Sequence, residues 1–229
     1  MFERKHKIGV NEVNKDFLIT NRSLIVAFQN TASYHSDSIN YGILDIPKTF
    51  LTWFVLDWKV EVIKRPKYGD EVVIKTWGRN ATKCYSYRDF EVYVNNELYV
   101  RATSKWVLFN VKTKTYENIS DELLKLYGND DNKSTFEEKE LNHLNPLDSY
   151  DKKTKIIIRK SDLDFNGHVN NAKYFDYLTD YADAHEYNNF RITYRKEVKF
   201  DDEIYLCQNK DLYAIIDKEN IVKTIIECE

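Results

Sequence analysis

Hydrophobic and polar residues alternate over long stretches of the first half of the chain, and a two-residue period of this kind predicts β-strands. The longest regular run covers residues 98–109. Asn95 and Asn96 lie directly before this run and predict a hairpin turn. Residues 50–110 are therefore expected to form several long antiparallel strands.

Between residues 20 and 40 the alternation gives way to a period of three to four residues, which predicts a helix. Its spaced positions are Leu24, Phe28, Ala32, His35 and Ile39. Thr20 or Asn21 is expected to cap the start of this helix, and Gly42 is expected to end it. A strand is predicted before it, at residues 2–10. The first half thus has the order strand, helix, several strands.

The second half repeats this order. A strand is predicted at residues 153–159, followed by a helix at about 170–187 with one apolar face. Four strands follow, near residues 190–200, 202–208, 211–216 and 221–228. Residues 67–74 and 199–206 also match in their letters, KYGDEVVI against KFDDEIYL, each at a turn between two strands. We interpret the two halves as an internal duplication.

The duplication predicts an α+β protein of two repeats, each a long central helix wrapped by an antiparallel sheet, with the two sheets joined side by side. In this interpretation residues 1–128 form the N-terminal repeat and residues 151–229 the C-terminal repeat. The segment 129–150 is polar and uneven, and we expect it to be a linker.

Composition narrows the classes of function. The chain has 229 residues, with 34 Lys and Arg against 37 Asp and Glu, a formal net charge of −3. This charge gives no overall attraction to nucleic acid or to an anionic membrane, and we expect neither as a partner. No apolar run approaches the ~18 residues that indicate a membrane span. The 17 Tyr, 12 Phe and 4 Trp residues suit strands, a thick core or the walls around an apolar ligand.

The number and spacing of the cysteines indicate the cellular compartment and test for a zinc site. Cys84, Cys207 and Cys228 are odd in number, widely spaced and outside any CxxC or Cys/His pattern. They indicate neither a disulfide framework nor a zinc site. With no secretory signal after Met1, the reducing cytoplasm is the expected location, and no metal or other cofactor is expected.

The candidate chemistry lies in residues 162–171, DLDFNGHVNN, between a predicted strand and helix. If this segment is extended, Asp164, Asn166 and His168 point to the same side. A carboxylate, an amide and an imidazole together can orient water, polarise a carbonyl and move a proton, and the following helix would present free backbone N–H groups to an oxyanion. The alternative is an ordinary loop, because Asn-Gly is a strong turn signal and Asp and Asn are common helix caps. The corresponding segment of the first half, residues 16–21, has no histidine.

At these residues the sequence resembles the acyl-acyl carrier protein thioesterases of plants and bacteria. The resemblance covers most of the chain. Its most specific parts are Asp162-Leu163-Asp164-x-Asn166-x-His168-Val169-Asn170-Asn171-x-Lys173-Tyr174, Tyr194-Arg195-Lys196-Glu197, Tyr68-Gly69-Asp70 and Arg101-Ala102-Thr103-Ser104-Lys105-Trp106. It implies two tandem hot-dog folds, an active site in the second, and cleavage of fatty acyl thioesters from acyl carrier protein, which ends fatty acid synthesis.

The resemblance also implies catalytic residues. The family's catalytic Asp, Asn and His fall on Asp164, Asn166 and His168, and its catalytic Glu falls on Glu197. The plant proteins have a cysteine directly after this Glu, where this chain has Val198. We therefore favour attack by water, with Glu197 or His168 as base, the Asp holding water or the imidazole, and the Asn binding the thioester oxygen.

From the residues alone, Glu197 is better explained as a surface carboxylate in a basic cluster, with Arg195, Lys196 and Lys199 beside it.

The implied partner is acyl carrier protein with a phosphopantetheine-linked acyl chain, for which a local basic cluster is the expected docking surface. Whether the chain forms a homodimer is left open. The acyl chain is assigned to the N-terminal repeat, whose candidate wall residues are Phe28, Ala32, Phe50, Trp53, Phe54 and Trp58. Enlarging Ala27 or Ala32 on its helix is expected to favour shorter acids. Two alternatives remain: a hot-dog enzyme acting on coenzyme A thioesters, and a non-catalytic acyl-binding protein.

Overall fold

The computed structural model describes residues 1–130, 132–150, 152–182 and 185–229, with the backbone alone at residue 80. The N-terminal repeat contains strand β1, helix α1, the one-turn helix α2, strands β2 to β6 and helix α3. Their bounds are Phe2–Lys7 (β1), Asn21–Ser38 (α1), Ile46–Thr49 (α2), Leu51–Val62 (β2), Glu71–Thr82 (β3), Tyr85–Val94 (β4), Glu97–Asn110 (β5), Thr115–Tyr116 (β6) and Asp121–Tyr127 (α3).

The C-terminal repeat contains one strand, one helix and then four strands. Their bounds are Lys152–Ile156 (β7), Lys173–Ala182 (α4), Asn189–Tyr194 (β8), Ile204–Asn209 (β9), Leu212–Asp217 (β10) and Val222–Cys228 (β11). Short 3₁₀ turns at Val10–Glu12 and Lys160–Asp162 precede the central helix in the two repeats, and a third lies at Ile43–Asp45. The predicted order of elements is confirmed in both halves.

The described strands form one 11-stranded antiparallel sheet in the order β1-β3-β4-β5-β2-β8-β11-β10-β9-β7, with β6 on β5. The two repeats meet where β2 pairs with β8, for example at Val60 opposite Phe190. The α+β fold class and the side-by-side union of two sheets are confirmed. One wall of the sheet therefore continues from one repeat into the other beneath both central helices.

Local chemistry explains where the central elements begin and turn. The Thr20 side chain accepts a hydrogen bond from the Ser23 backbone N–H at 3.1 Å, which caps α1 as predicted. Asn95 and Asn96 have φ values of 49° and 66°, the left-handed pair that a tight hairpin needs. The expectation for Gly42 is wrong, because α1 already ends at Ser38.

The core lies between the central helices and the inner face of the sheet. Phe28 of α1 packs against Trp58 and Phe90, with ring centroids 5.7 and 5.0 Å apart. In the C-terminal repeat Phe175 of α4 packs against Phe190 at 4.8 Å. Each repeat thus buries one aromatic face of its helix on the shared sheet.

Residues 132–150 run across the opposite face of the sheet and are described without a helix or strand. Phe136, Leu141 and Leu144 are nevertheless buried. The Leu144 N–H donates to Thr193 Oγ1 at 2.9 Å, close to the junction of β2 and β8. The division at 129–150 stays a prediction. Most described residues of this segment are exposed, and the three buried apolar side chains anchor it on the sheet. None of the helices in the described ranges is long and apolar enough to span a membrane.

Candidate active site

The loop that carries the candidate chemistry is a tight hairpin between the bridge partners Leu163 and Val169. Asp164 Oδ1 accepts hydrogen bonds from the backbone N–H groups of Asn166, at 2.8 Å, and His168, at 3.2 Å. Gly167 takes a φ of +78°, a left-handed conformation that glycine adopts without strain. The extended segment expected from alternation is therefore wrong, and the turn interpretation of Asn-Gly is right.

His168 and Glu197 are brought together by this loop. His168 Nε2 lies 3.2 Å from Glu197 Oε2, although 28 residues separate them along the chain. A backbone hydrogen bond of 2.8 Å from the Val169 N–H to the Val198 carbonyl ties the two loops together next to this contact. Glu197 also pairs with Lys199 at 3.3 Å, so it takes part in the basic cluster and in the contact with the histidine.

The two remaining predicted residues line the same cavity as His168 and Glu197. Asn166 is exposed, and its side chain makes no hydrogen bond to the described residues. Asp164 uses one carboxylate oxygen to hold the loop, as given above. The structure thus gathers Asp164, Asn166, His168 and Glu197 at one cavity, with a direct side-chain contact between the last two.

The cavity has a volume of about 1150 Å³ and takes its walls from both repeats. The C-terminal repeat supplies the hairpin loop, the start of α4 and the end of β8. The N-terminal repeat supplies one face of α1, the beginning of β2 and parts of β4, β5 and α3. A substrate bound at His168 can therefore extend into the N-terminal repeat.

The start of α4 presents a free backbone donor to the cavity. Asn170 Oδ1 accepts from the Ala172 N–H at 2.9 Å, whereas the Asn171 N–H makes no hydrogen bond to the described residues. The Tyr194 hydroxyl donates to the Asn171 carbonyl at 2.9 Å and fixes this peptide. Burial raises the pKa of Tyr194 well above its usual value, so the hydroxyl stays protonated as this donor.

The N-terminal repeat has an equivalent loop with other side chains. Asn14 Oδ1 accepts from the backbone N–H groups of Asp16 and Leu18, as Asp164 does from Asn166 and His168. The bridges from Leu18 to Lys67 and from His168 to Lys199 are also equivalent. Leu18 therefore stands where the C-terminal repeat has its histidine, which accords with the missing histidine noted in the sequence.

At the loop of the N-terminal repeat, a carboxylate of the protein itself accepts a hydrogen bond at the start of α1. Glu186 Oε2 accepts from the Asn21 N–H at 2.5 Å, and Asn21 is the counterpart of Asn171. Arg65 takes the place of Glu197 in the repeat alignment and lies 3.9 Å from Glu186 Oε2. The position of this oxygen marks where the start of α4 can receive an oxyanion. Sequence reasoning missed Glu186 and Arg65. An alignment of the repeats could have placed Arg65 opposite Glu197, but no sequence pattern points to Glu186.

The structure places only some of the residues predicted for the acyl wall at the cavity. Ala32, Trp53 and Phe54 line it. Phe28 and Trp58 are completely buried in the core and do not line the cavity, so their assignment to its wall is wrong. Ser36, Arg88 and Tyr127 line it instead, together with further residues that sequence reasoning missed. The two-residue period that Arg88 shares with Phe90 and Val92 is the signal that it faces inward.

The three cysteines lie away from these groups. Cys207 and Cys228 are buried and Cys84 is half-buried, and all three are free thiols. Burial raises the pKa of both Cys207 and Cys228, which disfavours the nucleophilic thiolate. Within the described ranges no three His, Cys, Asp or Glu side chains are grouped as metal ligands.

Comparison with known proteins identifies relatives along the whole chain. The model of the acyl-ACP thioesterase N-terminal domain matches residues 1–127, and that of the C-terminal domain matches residues 146–227. Oleoyl-acyl carrier protein thioesterase 1 of Arabidopsis thaliana, a chloroplastic protein, is 25% identical over 89% of this chain and 62% of its own length. The chloroplastic oleoyl-acyl carrier protein thioesterase of Coriandrum sativum is 25% identical over 97% of this chain and 64% of its own length. The chain thus spans less than two thirds of the length of these relatives.

Solved structures match over nearly their full length. The 12:0-ACP thioesterase from Umbellularia californica is 26% identical with a TM-score of 0.79, covering 100% of this chain and 96% of that one. An acyl-ACP thioesterase from Bacteroides thetaiotaomicron has a TM-score of 0.84 at 18% identity, and the match covers 99% of this chain and 96% of that one. At this identity the similarity is one of fold. The two tandem hot-dog folds implied by the sequence are confirmed.

Proposed function

Because this chain belongs to the acyl-acyl carrier protein thioesterase family, we propose that it hydrolyses fatty acyl thioesters of acyl carrier protein and releases the free fatty acid. The observation that carries the proposal is the contact of 3.2 Å between His168 and Glu197 at the cavity shared by the repeats. Thioester hydrolysis needs a general base beside the site that binds the acyl group. In the cell this reaction would end fatty acid synthesis.

The proposed nucleophile is water. Glu197 and His168 together act as the general base, which removes a proton from water as the water oxygen attacks the thioester carbon. The same proton then goes to the departing thiolate sulfur. The bond to sulfur breaks and a carboxylic acid forms, so atoms balance without a covalent enzyme intermediate. The buried cysteines and Val198 after Glu197 support this choice over a thiol nucleophile.

The oxyanion is proposed to lie at the start of α4. The free N–H of Asn171 and the exposed amide of Asn166 are its donors, by analogy with the Glu186 oxygen held by the Asn21 N–H in the other repeat. Asp164 keeps the loop closed and so positions His168. Donors fixed in this way stabilise negative charge more in the transition state than in the substrate.

The proposed partner is acyl carrier protein, with the acyl chain on its phosphopantetheine. The acyl chain is proposed to extend into the N-terminal repeat, and the exposed Lys114, Arg195 and Lys196 at the cavity face the acidic carrier. We keep the cytoplasm as the proposed location because the three cysteines are free thiols. A homodimer stays a prediction that the mass in solution tests.

The deciding experiment compares acyl-acyl carrier protein with the matching acyl-coenzyme A, measuring free fatty acid released by the purified protein. Faster turnover of the carrier-bound substrate is expected. Preference for the coenzyme A thioester would favour a hot-dog enzyme of that class. Binding of acyl chains with no release from either substrate would leave an acyl-binding protein.

A further inference from the structure

The part of the cavity in the N-terminal repeat is more polar than an alkyl chain requires. On α1 the residues that face it are Gln29, Asn30, Ala32, Ser33 and Ser36, and only the alanine is apolar. Opposite them Tyr127 of α3 also lines the cavity, with its hydroxyl 2.8 Å from Ser36 Oγ. The hydroxyl accepts a hydrogen bond of 3.0 Å from Trp53 Nε1. This end of the cavity is thus equipped with ordered hydrogen-bonding groups.

A cation lies among these groups. Arg88 of β4 lines the cavity and is only 9% exposed. Its Nη1 donates to His35 Nδ1 at 3.0 Å and to Thr76 Oγ1 at 3.2 Å, and its guanidinium lies 5.3 Å from the ring centroid of Tyr127. No carboxylate of the described residues contacts it, and its Nε and Nη2 donors have no acceptor there. A guanidinium has five N–H donors in a fixed fork, so most of this capacity is unused.

The histidine beside Arg88 does not neutralise or share its charge. Burial, together with the Arg88 charge, lowers the pKa of His35 to about 3, so the imidazole is neutral and accepts a hydrogen bond through Nδ1. Among the described residues, the side chains that contact Arg88 therefore supply no negative charge to balance it. A buried cation without a counter-charge is unfavourable, and an anion that reaches it is bound strongly.

The order of strands in the sheet sets the distance between Arg88 and the loop that carries His168. Arg88 lies opposite Ser104 on β5, next to the pair of Ser86 and Trp106. Trp106 lies opposite Val55 on β2, which is followed in the sheet by β8. Three spacings between strands separate β4 from β8, which is about 14 Å across the sheet. Arg88 is thus placed for the far end of an acyl chain whose thioester lies at His168.

We propose that Arg88, with the hydroxyl groups of Ser36 and Tyr127, binds a carboxylate at the distal end of the acyl chain, so that ω-carboxyacyl thioesters are a preferred substrate class. The inference rests on the proposed thioester hydrolysis for its reaction, and on the geometry around the guanidinium for its specificity. The distal carboxylate accepts hydrogen bonds from Nε and Nη2, the fork that planar carboxylates match.

The test uses acyl thioesters of carrier protein matched in chain length, ending either in a methyl group or in a carboxylate. At the length that reaches Arg88, kcat/KM is expected to be about 10-fold to 100-fold higher for the carboxylate-ended chain. Arg88→Met should abolish this preference, and Arg88→Lys should restore part of it. Lys105→Met is the matched control, since Lys105 lies on the neighbouring strand against the rings of Tyr85 and Tyr87 on the other face of the sheet.

A second readout does not depend on hydrolysis. Calorimetric titration with a free dicarboxylic acid and the monocarboxylic acid of equal length should give a lower Kd for the diacid in wild type and equal values in Arg88→Met. Hydrolysis without any preference for the carboxylate, or a preference that survives in Arg88→Met, overturns the distal site and leaves the proposed function intact. Selective binding of the diacid without hydrolysis supports the site and rejects the proposed function. Equal melting temperatures exclude misfolding of the variants.

Discussion

His168 and Leu18 occupy equivalent places in two loops whose backbones follow the same hydrogen-bond pattern. The difference in chemistry between the repeats therefore comes from side chains and not from the fold. Asp164 and Asn14 close their loops in the same way, so a loop-closing residue is found in both repeats. The residues with no like counterpart are His168, replaced by leucine, and Glu197, replaced by Arg65. These two are the ones in contact.

Replacing His168 or Asn166 by alanine should lower kcat by ~10²-fold or more, since each change removes a proton-transfer group or an oxyanion donor. Steady-state release of fatty acid from acyl-acyl carrier protein measures the effect. Asp16→Ala, at the position equivalent to Asn166 in the other repeat, is the control and should keep wild-type kcat. Near-wild-type turnover in both His168→Ala and Asn166→Ala would reject the assignment.

The buried His35 should make the fold sensitive to acid. Its folded-state pKa, lowered to about 3, lies below its usual value of 6.5, so the unfolded chain takes up a proton first as the pH falls below 6.5. Stability is thus complete above pH 6.5 and is lost progressively toward pH 3. From pH 7 to pH 4.5 this single group should cost about 2.5 kcal/mol.

The measurement is urea unfolding of wild type and His35→Gln at both pH values. Glutamine can still accept a hydrogen bond from Arg88 but does not titrate. The wild type should lose about 2.5 kcal/mol more than the variant on acidification, because contributions of the carboxylates are common to both. Equal losses would mean that His35 is not the cause.

At the scale of elements, α1 forms the boundary between core and cavity. Ala27 and Ala32 are both buried on it, but only Ala32 lines the cavity. Ala32→Leu should therefore fill part of the cavity and shift the released acids toward shorter chains, since each methylene that can no longer be buried forfeits about 0.8 kcal/mol.

Gas chromatography of fatty acids from cells expressing each variant gives the profile. Ala27→Leu is the control: it should lower the melting temperature by overpacking the core and leave the profile unchanged. A profile that is unaltered in folded Ala32→Leu and altered by changes on α4 would place the acyl chain in the C-terminal repeat.

Sequence patterns predicted the elements well because alternation and helical spacing record which face is buried. They left the segment at Asp164 open between a strand and a loop, since a strand and a hairpin both accommodate polar residues at every second position there. They also gave no reason to pair His168 with Glu197, because contacts between distant segments leave no local pattern. Glu186 was missed for the same reason, because its contact with the Asn21 N–H joins segments 165 residues apart.

At the scale of the whole molecule, the net charge of −3 conceals an uneven distribution. Lys114, Arg195 and Lys196 lie exposed at the cavity that holds the candidate site. We therefore expect hydrolysis of acyl-acyl carrier protein to slow from low to high salt, since salt screens attraction between exposed charges. The rate on a small uncharged thioester of the same acyl chain should stay level. A parallel response of both substrates would contradict docking through these charges.

Because β2 pairs with β8 within one chain, the two repeats stay together and can carry different mutations. A cavity built from two separate chains would come apart on dilution, and any mutation would appear twice, once in each copy. Here one polypeptide holds both walls, so their effective concentration is fixed by the chain and does not depend on the amount of protein present. Each half is also encoded separately. One loop can therefore carry a histidine while the equivalent loop of the other half carries a leucine.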